Sequence, residues 1–262
     1  MKRIVRLLVG LVVAWWVVGS ANQSRASEIV SHRAEYRFYL GGSETRAGGS
    51  VEENRVECDA WVQSSWQRLH GSNLRPGRQR LETKEYRDGH AMTFLQHVSS
   101  RGERVLGFEG TVRQGRNGKP AIASFTSPRE MEVPLPRGTV FSTAFYLRTI
   151  RELRTAPGKT IGRTPVFGLM GRSGSLFYVE ARRVKTGEPL FIKVEGDTEL
   201  LDPPTIDIEL RLFASRQAAK PVQRIVATVH ANGVYSRAVY YQPRATVIAE
   251  IVRIQALPKA KC

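Results

Sequence analysis

The sequence has few of the residues that redox and metal chemistry require. Its 262 residues include two cysteines and five histidines. Cys58 and Cys262 lie far apart and form no C-x-x-C pair, which argues against redox catalysis. The histidines are His32, His70, His90, His97 and His230, and of these only His90 and His97 are near each other in sequence. None belongs to an H-E-x-x-H or H-x-x-E-H pattern. We therefore expect no cofactor and no metal site.

A catalytic serine also lacks support. The segment Gly171 to Gly174 (GRSG) is similar to the turn that carries the nucleophile of many hydrolases, but the second glycine is missing at the required spacing. A Gly/Ser hairpin turn is the alternative interpretation. Asp207 and Glu209 alternate with apolar residues, which predicts the solvated face of a strand rather than a catalytic pair. We expect that the protein is not an enzyme; a histidine and a carboxylate converging on Ser173 would favour a hydrolase.

Long apolar runs are missing except at the N-terminus. Lys2, Arg3 and Arg6 precede an uncharged stretch of 15 residues, Leu7 to Ala21, and small residues follow at Ser24 to Ala26. This order is typical of a secretory signal peptide over residues 1–26. The alternative, a membrane anchor, would need about 20 apolar residues. We therefore predict one exported domain, residues 27–262, in the periplasm and at most peripheral to a membrane.

The two cysteines fit export. Secreted chains keep disulfides, and two cysteines allow one intramolecular pairing, Cys58 with Cys262. Closing a loop of that length would contribute about 5 kcal/mol on the chain-entropy model. The alternative is two unrelated thiols, one of them on a frayed tail. We expect the disulfide, because it would attach the C-terminal strand to an early part of the chain.

Acidic residues are outnumbered, so the formal charge is +16. Removal of the segment 1–26, with Lys2, Arg3, Arg6 and Arg25, lowers this charge to +12. Such a surplus favours anionic partners: phospholipid head groups, lipopolysaccharide, wall polymers or nucleic acid. Export argues against nucleic acid. Basic residues cluster in turns such as 75–80 and 113–119, where solvated loop tips are the simpler explanation.

Most of the remaining chain alternates between apolar and polar residues. The alternation in segments such as Ala34 to Leu40 (AEYRFYL) and Ile206 to Phe213 (IDIELRLF) is typical of half-buried antiparallel strands. Asp88-Gly89, Asn117-Gly118 and Asn232-Gly233 suit tight hairpin turns. About a dozen strands without a linker or repeat predict a mainly β protein: a long antiparallel sheet curled into an open barrel or rolled sheet.

One segment, at about residues 141–154, breaks the alternation. Its apolar residues recur at roughly helical spacing, Ser142 or Thr143 is available to cap its N-terminus, and Pro157-Gly158 follows its end. We predict one amphipathic helix with an apolar stripe formed by Phe145, Leu147, Ile150 and Leu153. The helix either fills the core of the curled sheet or covers an apolar cavity.

The aromatic residues have two possible roles, in the core or in the lining of a groove. Most belong to the core of a filled sheet. If the curled sheet is open, Trp66, Phe94, Phe145 and Leu147 would instead line a groove for an acyl chain or an apolar peptide.

Segments along almost the whole chain resemble the EipB-like cell-envelope integrity family of Gram-negative bacteria. The matching segments are HRAEYRFYL (32–40), ECDAWVQSSWQRL (57–69), LETKEYRDGHAMTF (81–94), EVPLPRGTVFSTAFYLRTI (132–150), the hairpins of 206–242 and QALPKAKC (255–262). The resemblance covers about 90% of the exported chain.

The resemblance implies a β-spiral of about fourteen strands with one helix, and a disulfide between the cysteines that match Cys58 and Cys262. It further implies a periplasmic, non-enzymatic role in maintaining envelope integrity under stress. We expect a monomer that acts by binding a protein, lipoprotein or lipid. The alternatives are a periplasmic hydrolase or binder of anionic envelope polymer, and a scaffold whose edge strands pair with a partner. The strongly basic charge and the short Gly/Arg-rich loop at 163–175 depart from the family.

Overall fold

The computed structural model describes residues 29–41, 46–69, 77–100, 103–115, 119–168, 175–185, 193–242 and 245–262. The predicted signal peptide, the Asn117-Gly118 turn and Ser173 lie outside these residues. The described residues form β1 His32–Leu40, β2 Arg46–Val56, β3 Ala60–Leu69, β4 Gly77–Tyr86, β5 Ala91–Ser100, β6 Glu103–Arg113, β7 Ile122–Ser127, β8 Met131–Pro134, β9 Val140–Phe141, α1 Ser142–Thr155, β10 Thr160–Phe167, β11 Leu176–Val184, β12 Glu195–Gly196, a 3₁₀ helix Thr198–Leu201, β13 Thr205–Phe213, β14 Gln223–His230, β15 Tyr235–Tyr241 and β16 Thr246–Ala256.

All sixteen strands belong to one sheet. Strands β1 to β8 form a meander, and β1 also pairs with β16, which continues through β15, β14, β13, β11 and β10 to β9. The pairs are antiparallel except β9 with β10 and β12 with β16. No backbone ladder joins β8 to β9 in the described part of the chain, so the sheet is not closed. The predicted long, curled antiparallel sheet is confirmed.

Two hairpins form at turns expected from the sequence. Gly89 and Gly233 have φ of +74° and +82°, in the left-handed region that glycine adopts without strain. They connect β4 to β5 and β14 to β15. The strand count exceeds the expected fourteen, and β9 and β12 have two residues each, which is too short to give a periodic sequence pattern.

Side chains bring the two ends of the sheet together. The ring of Phe94 in β5 lies 5.3 Å, centre to centre, from the rings of both Phe125 in β7 and Phe167 in β10. A Cβ on Gly168 would lie 2.5 Å from the Cε of Met92, so the chain after β10 packs directly against this β5 side chain. Side-chain packing between β5, β7 and β10 therefore holds the sheet in a roll, although no backbone hydrogen bonds close it among the described residues.

The core has two parts. The larger part joins the inner faces of β1, β10, β11 and β13 to β16 with the helix, and the smaller part surrounds Phe94, Phe141 and Phe167. The larger part is built almost entirely from the C-terminal half of the chain. Inner positions of β2 to β4 contribute little to either cluster, which leaves room inside this side of the roll.

Helix α1 lies inside the roll, as the pattern predicted, but its buried face differs in one residue. Phe145, Thr149, Ile150 and Leu153 are buried, whereas Leu147 is half-buried. Residues are about 100° apart around a helix, so Leu147 lies about 200° from Phe145. Thr149 instead lies on the buried face of the helix, although the predicted apolar stripe did not include it.

A carboxylate from another strand caps this helix. Neither Ser142 nor Thr143 forms a side-chain cap, which corrects the sequence expectation. Instead, the backbone N–H groups of Thr143 and Ala144 donate hydrogen bonds of 2.7 and 2.8 Å to the two carboxylate oxygens of Glu85 in β4. Glu85 is fully buried. Burial raises the pKa of Glu85, and the two backbone hydrogen bonds only partly offset that rise.

A disulfide joins Cys58 to Cys262, with 5.6 Å between the Cα atoms and a sequence separation of 204. Cys58 lies in the turn between β2 and β3, and Cys262 follows the end of β16. The bond therefore attaches the C-terminal tail to the N-terminal half of the sheet. The pairing is the one expected from the sequence.

Candidate functional site

A cavity of about 330 Å³ lies inside the roll beside helix α1. We call it the axial cavity. It opens partly to solvent, and its volume falls within the roughly 300–1,000 Å³ that small-molecule sites occupy. The axial cavity is the strongest candidate for a ligand site because side chains do not fill the inside of the roll there and the space is large enough for a small molecule.

The axial cavity has one polar and one apolar wall. Strands β2 to β4 supply the polar wall: Glu52, Asn54, Gln63, Ser65, Gln67 and Gln79. Strands β13, β14 and β16 supply the apolar wall: Ile208, Leu210, Ala227, Val229 and Val247. A ligand that fits both walls must combine an apolar part with groups that can hydrogen-bond to amides.

The polar wall follows from the period-two alternation of β3. In this strand Gln63, Ser65 and Gln67 face the axial cavity, so Val62 and Trp66 face outward. Trp66 is 41% exposed, as expected for the outer face. A strand that turns Gln63, Ser65 and Gln67 towards the cavity and Trp66 outward departs from ordinary core patterning, and it gives this side of the cavity a polar wall.

Helix α1 covers the cavity with one face. Phe145, Tyr146 and Thr149 line it, together with Ser142 and Thr143 at the helix N-terminus. The hydroxyls of Ser142 and Thr149 are buried and have no hydrogen-bond partner among the described residues. Both residues line the axial cavity, so each leaves an unsatisfied hydroxyl beside it.

The acidic group of the site is Glu52. Its carboxylate accepts a 2.7 Å hydrogen bond from the Tyr235 hydroxyl and a 3.4 Å hydrogen bond from the Ser50 hydroxyl. Tyr36 stacks on Tyr235 with ring centres 4.4 Å apart and donates a hydrogen bond to its carbonyl oxygen. Burial raises the pKa of Glu52, and the hydrogen bonds from Tyr235 and Ser50 only partly offset that rise. Burial also raises the pKa of Tyr146 and Tyr240.

The four residues proposed from the sequence do not form one groove. Phe145 lines the axial cavity, whereas Trp66 is on the outer face, which corrects its predicted role. Phe94 is buried in the smaller core cluster, and Leu147 is half-buried and absent from the cavity lining. The sequence signal that we missed was the spacing of Gln63, Ser65 and Gln67, which strand alternation places on one face.

A second charged feature lies on the outer face of β11, β13 and β14. The Glu209 side chain is fully buried beneath Arg182, Arg211 and Arg224, with Arg211 Nε 3.0 Å from its carboxylate. This corrects the expectation that Glu209 is solvated. Burial raises the pKa of Glu209, but the hydrogen bonds from Arg182 and Arg224 outweigh it, so the net shift is downward. The arginines are partly exposed, and the four side chains together carry a positive charge.

Two further observations concern the described residues as a whole. No group of three or more His, Cys, Asp or Glu side chains comes together there at a site that could hold a metal ion. Within the same ranges, no helix has the length and apolar character needed to cross a membrane.

The family model described as EipB-like matches residues 23–257. The chain belongs to the EipB-like family. The match includes every strand of the sheet, helix α1 and all residues that line the axial cavity. No curated protein matches the chain.

The EipB-like fold also has a match among solved structures. The crystal structure of a β-barrel-like protein of a domain of unknown function from Brucella abortus superposes with a TM-score of 0.74 at 18% identity. The match covers 89% of this chain and 100% of that chain. At this identity the likeness concerns the fold, and function must be argued from the site.

Proposed function

We propose that this EipB-like protein is a non-catalytic periplasmic factor that supports cell-envelope integrity by binding the acyl chain of a lipid or lipoprotein in the axial cavity. The observation that carries this proposal is the cavity itself, which lies between an apolar wall, a polar wall and helix α1. The cavity is partly open to solvent, which gives a ligand a way in.

Burial of apolar ligand surface supplies the driving force. Each methylene group transferred from water into contact with residues such as Leu210, Val229 and Phe145 gains about 0.8 kcal/mol. The amides of the polar wall would orient the other end of the ligand through hydrogen bonds. This division of roles fits an amphiphile better than a wholly polar molecule.

The lining chemistry favours binding over catalysis. The polar lining residues are amides and hydroxyls with one carboxylate, and no described histidine lines the axial cavity. Glu52 is held by Tyr235 and Ser50 rather than paired with a general base or nucleophile. The apolar, amide and hydroxyl groups that line the cavity are sufficient for a binding role.

A matched pair of serine variants tests the proposal. Ser65 faces the axial cavity and is buried, whereas Ser64, its neighbour in β3, faces outward. Ser65→Phe should fill part of the cavity and weaken binding of an uncharged fluorescent acylglycerol about tenfold or more. Ser64→Phe should bind it like the wild type. Equal binding by both variants, or none by the wild type, would refute an acyl-chain site in this cavity.

The envelope role is tested in cells. A deletion strain should be sensitive to detergents and to wall-active antibiotics, and wild type or Ser64→Phe should restore resistance. Ser65→Phe should be secreted at the same level yet fail to restore it. Normal resistance of the deletion strain would contradict the envelope role, and full rescue by Ser65→Phe would separate that role from the cavity.

The arginine cluster around Glu209 supports a second candidate function, binding of an anionic envelope polymer on the outer face. Arginine guanidinium groups are well suited to phosphate and carboxylate. Binding of lipopolysaccharide should weaken as salt rises and should be lost when Arg182 and Arg224 are both changed to Gln. Salt-insensitive binding that survives both changes would exclude this surface.

Edge pairing with a partner protein is less well supported. The edge strand β8 has four residues and ends at Pro134, and the other edge strand, β9, has two residues. Short edges and proline are features that discourage strand addition.

A further inference from the structure

The carboxylate of Glu52 faces the axial cavity without a positive partner. Glu52 is 6% exposed and lines the cavity, yet its two hydrogen bonds come from neutral hydroxyls. No basic side chain of the described residues forms an ion pair with it. A buried carboxylate in contact with a ligand cavity favours a ligand that brings either a cation or a strong hydrogen-bond donor.

The aromatic residues around Glu52 favour the cation. Five rings line the axial cavity: Phe38, Phe145, Tyr146, Tyr235 and Tyr240. The Tyr235 ring is fixed by its stack on Tyr36, and the Tyr146 hydroxyl donates a 3.1 Å hydrogen bond to the carbonyl oxygen of Gly233. Ring faces attract ammonium groups, and a carboxylate beside the rings adds Coulombic attraction.

Neighbouring residues on β2 show how unusual this placement is. Glu53 faces outward and pairs with Arg33 at 3.5 Å and with Arg55 at 2.9 Å. Glu52, one residue earlier, faces inward and has hydroxyls where Glu53 has guanidinium groups. The chain has 40 basic and 24 acidic residues, so the lack of a cation at Glu52 does not follow from a shortage of them.

We infer that the axial cavity selects amphiphiles with an ammonium head group, held between the carboxylate of Glu52 and the rings of Tyr146, Tyr235 and Tyr240. The inference rests on the proposed function, because the same cavity supplies the site for the apolar chain. The positive charge of the whole chain attracts anionic amphiphiles and repels cationic ones at long range. A preference for a cationic ligand must therefore originate at the local carboxylate.

Two detergents with the same alkyl chain test the inference. Dodecyltrimethylammonium and dodecyl maltoside are titrated separately into the full exported chain, below the concentrations at which they form micelles, by calorimetry. Cation–π and charge-assisted contacts in a desolvated site predict a preference of about tenfold or more for the cationic detergent. Glu52→Gln keeps an oxygen that accepts the Tyr235 hydrogen bond, and it should reduce the preference to about one. The control, Glu53→Gln, should keep the wild-type preference.

The outcomes separate this inference from the proposed function. Equal wild-type binding of both detergents overturns the ammonium preference while acyl-chain binding stands. Failure of both to bind overturns the proposed function as well. If Glu52→Gln does not fold, Tyr146→Leu tests the same point, because removal of one ring should lower affinity for the cationic detergent more than for the maltoside. An unchanged preference in the variant that folds overturns the inference.

Discussion

The contact between Glu85 and helix α1 gives the sharpest prediction about stability. Glu85→Ala removes two hydrogen bonds, of 2.7 and 2.8 Å, from the backbone N–H groups of Thr143 and Ala144. Hydrogen bonds to a charged acceptor contribute about 1.5–3 kcal/mol each, and loss of an N-cap typically removes about 1 kcal/mol. Water entering from the axial cavity and relief of the buried carboxylate offset part of this loss. We expect the free energy of unfolding to fall by about 2–4 kcal/mol.

Chemical denaturation and thermal melts followed by circular dichroism measure the effect. For a chain of this size 1 kcal/mol lowers the melting temperature by about 2–4 °C, so Glu85→Ala should melt roughly 5–15 °C lower than the wild type. Glu82→Ala is the control on the same strand, because Glu82 faces outward and pairs with the exposed Arg80. Loss of such a pair changes stability by less than about 1 kcal/mol.

One result would refute this reasoning. If Glu85→Ala and Glu82→Ala differ in unfolding free energy by less than about 0.5 kcal/mol, the buried carboxylate does not stabilise the helix start. Glu85→Gln should be intermediate, because its amide retains one acceptor oxygen but places an N–H group against a backbone N–H. Hydrogen exchange should also be faster at Thr143 and Ala144 in Glu85→Ala than in the control.

Three further predictions concern the tail, the outer face and acid stability. Cys262→Ser should lower the melting temperature under oxidising conditions, since the bond closes a separation of 204 residues and contributes about 5 kcal/mol on the chain-entropy model. Glu209→Ala should lower the unfolding free energy by about 1–3 kcal/mol, because three arginines lose their shared acceptor. Burial lowers the pKa of His32 in the folded protein, so as the pH falls below about 6.5 the unfolded chain binds a proton at His32 before the folded chain does. Acid therefore favours unfolding through His32, and His32→Asn should weaken the loss of stability between about pH 7 and pH 5.

Each of these predictions has its own control. Cys262→Ser and the wild type should melt alike in a reducing buffer; a difference there would assign the effect to something other than the bond. Glu209→Gln should lose less than Glu209→Ala, and equal losses would exclude the charge as the cause. Raised pKa values at Glu52 and Glu85 act in the opposite direction to His32 under acid. The test is therefore the difference in slope between variant and wild type, and equal slopes would contradict the assignment to His32.

Local sequence patterns determined much of the fold. The alternation in segments such as Ile206 to Phe213 was enough for an antiparallel sheet, because period two is a property of single strands. Gly89 and Gly233 marked hairpin turns for an equally local reason. The interruption near residues 141–154 located helix α1 to within one residue of its observed bounds, Ser142–Thr155. Two cysteines left one intramolecular pairing to consider.

Only the tertiary structure decided which residues form the site. The rolling of the sheet brings β5 against β10, and that contact buries Phe94 in a core cluster instead of a groove. Trp66 was expected inside because aromatic residues are usually buried, but in β3 the polar side chains of Gln63, Ser65 and Gln67 take the cavity face and Trp66 lies on the other. Glu85 reaches the helix across 58 positions in sequence, and the Tyr235 hydrogen bond to Glu52 spans 183, so neither contact leaves a local pattern. Periodicity fixes which face of a strand a residue occupies, whereas the curvature of the whole sheet decides what that face meets.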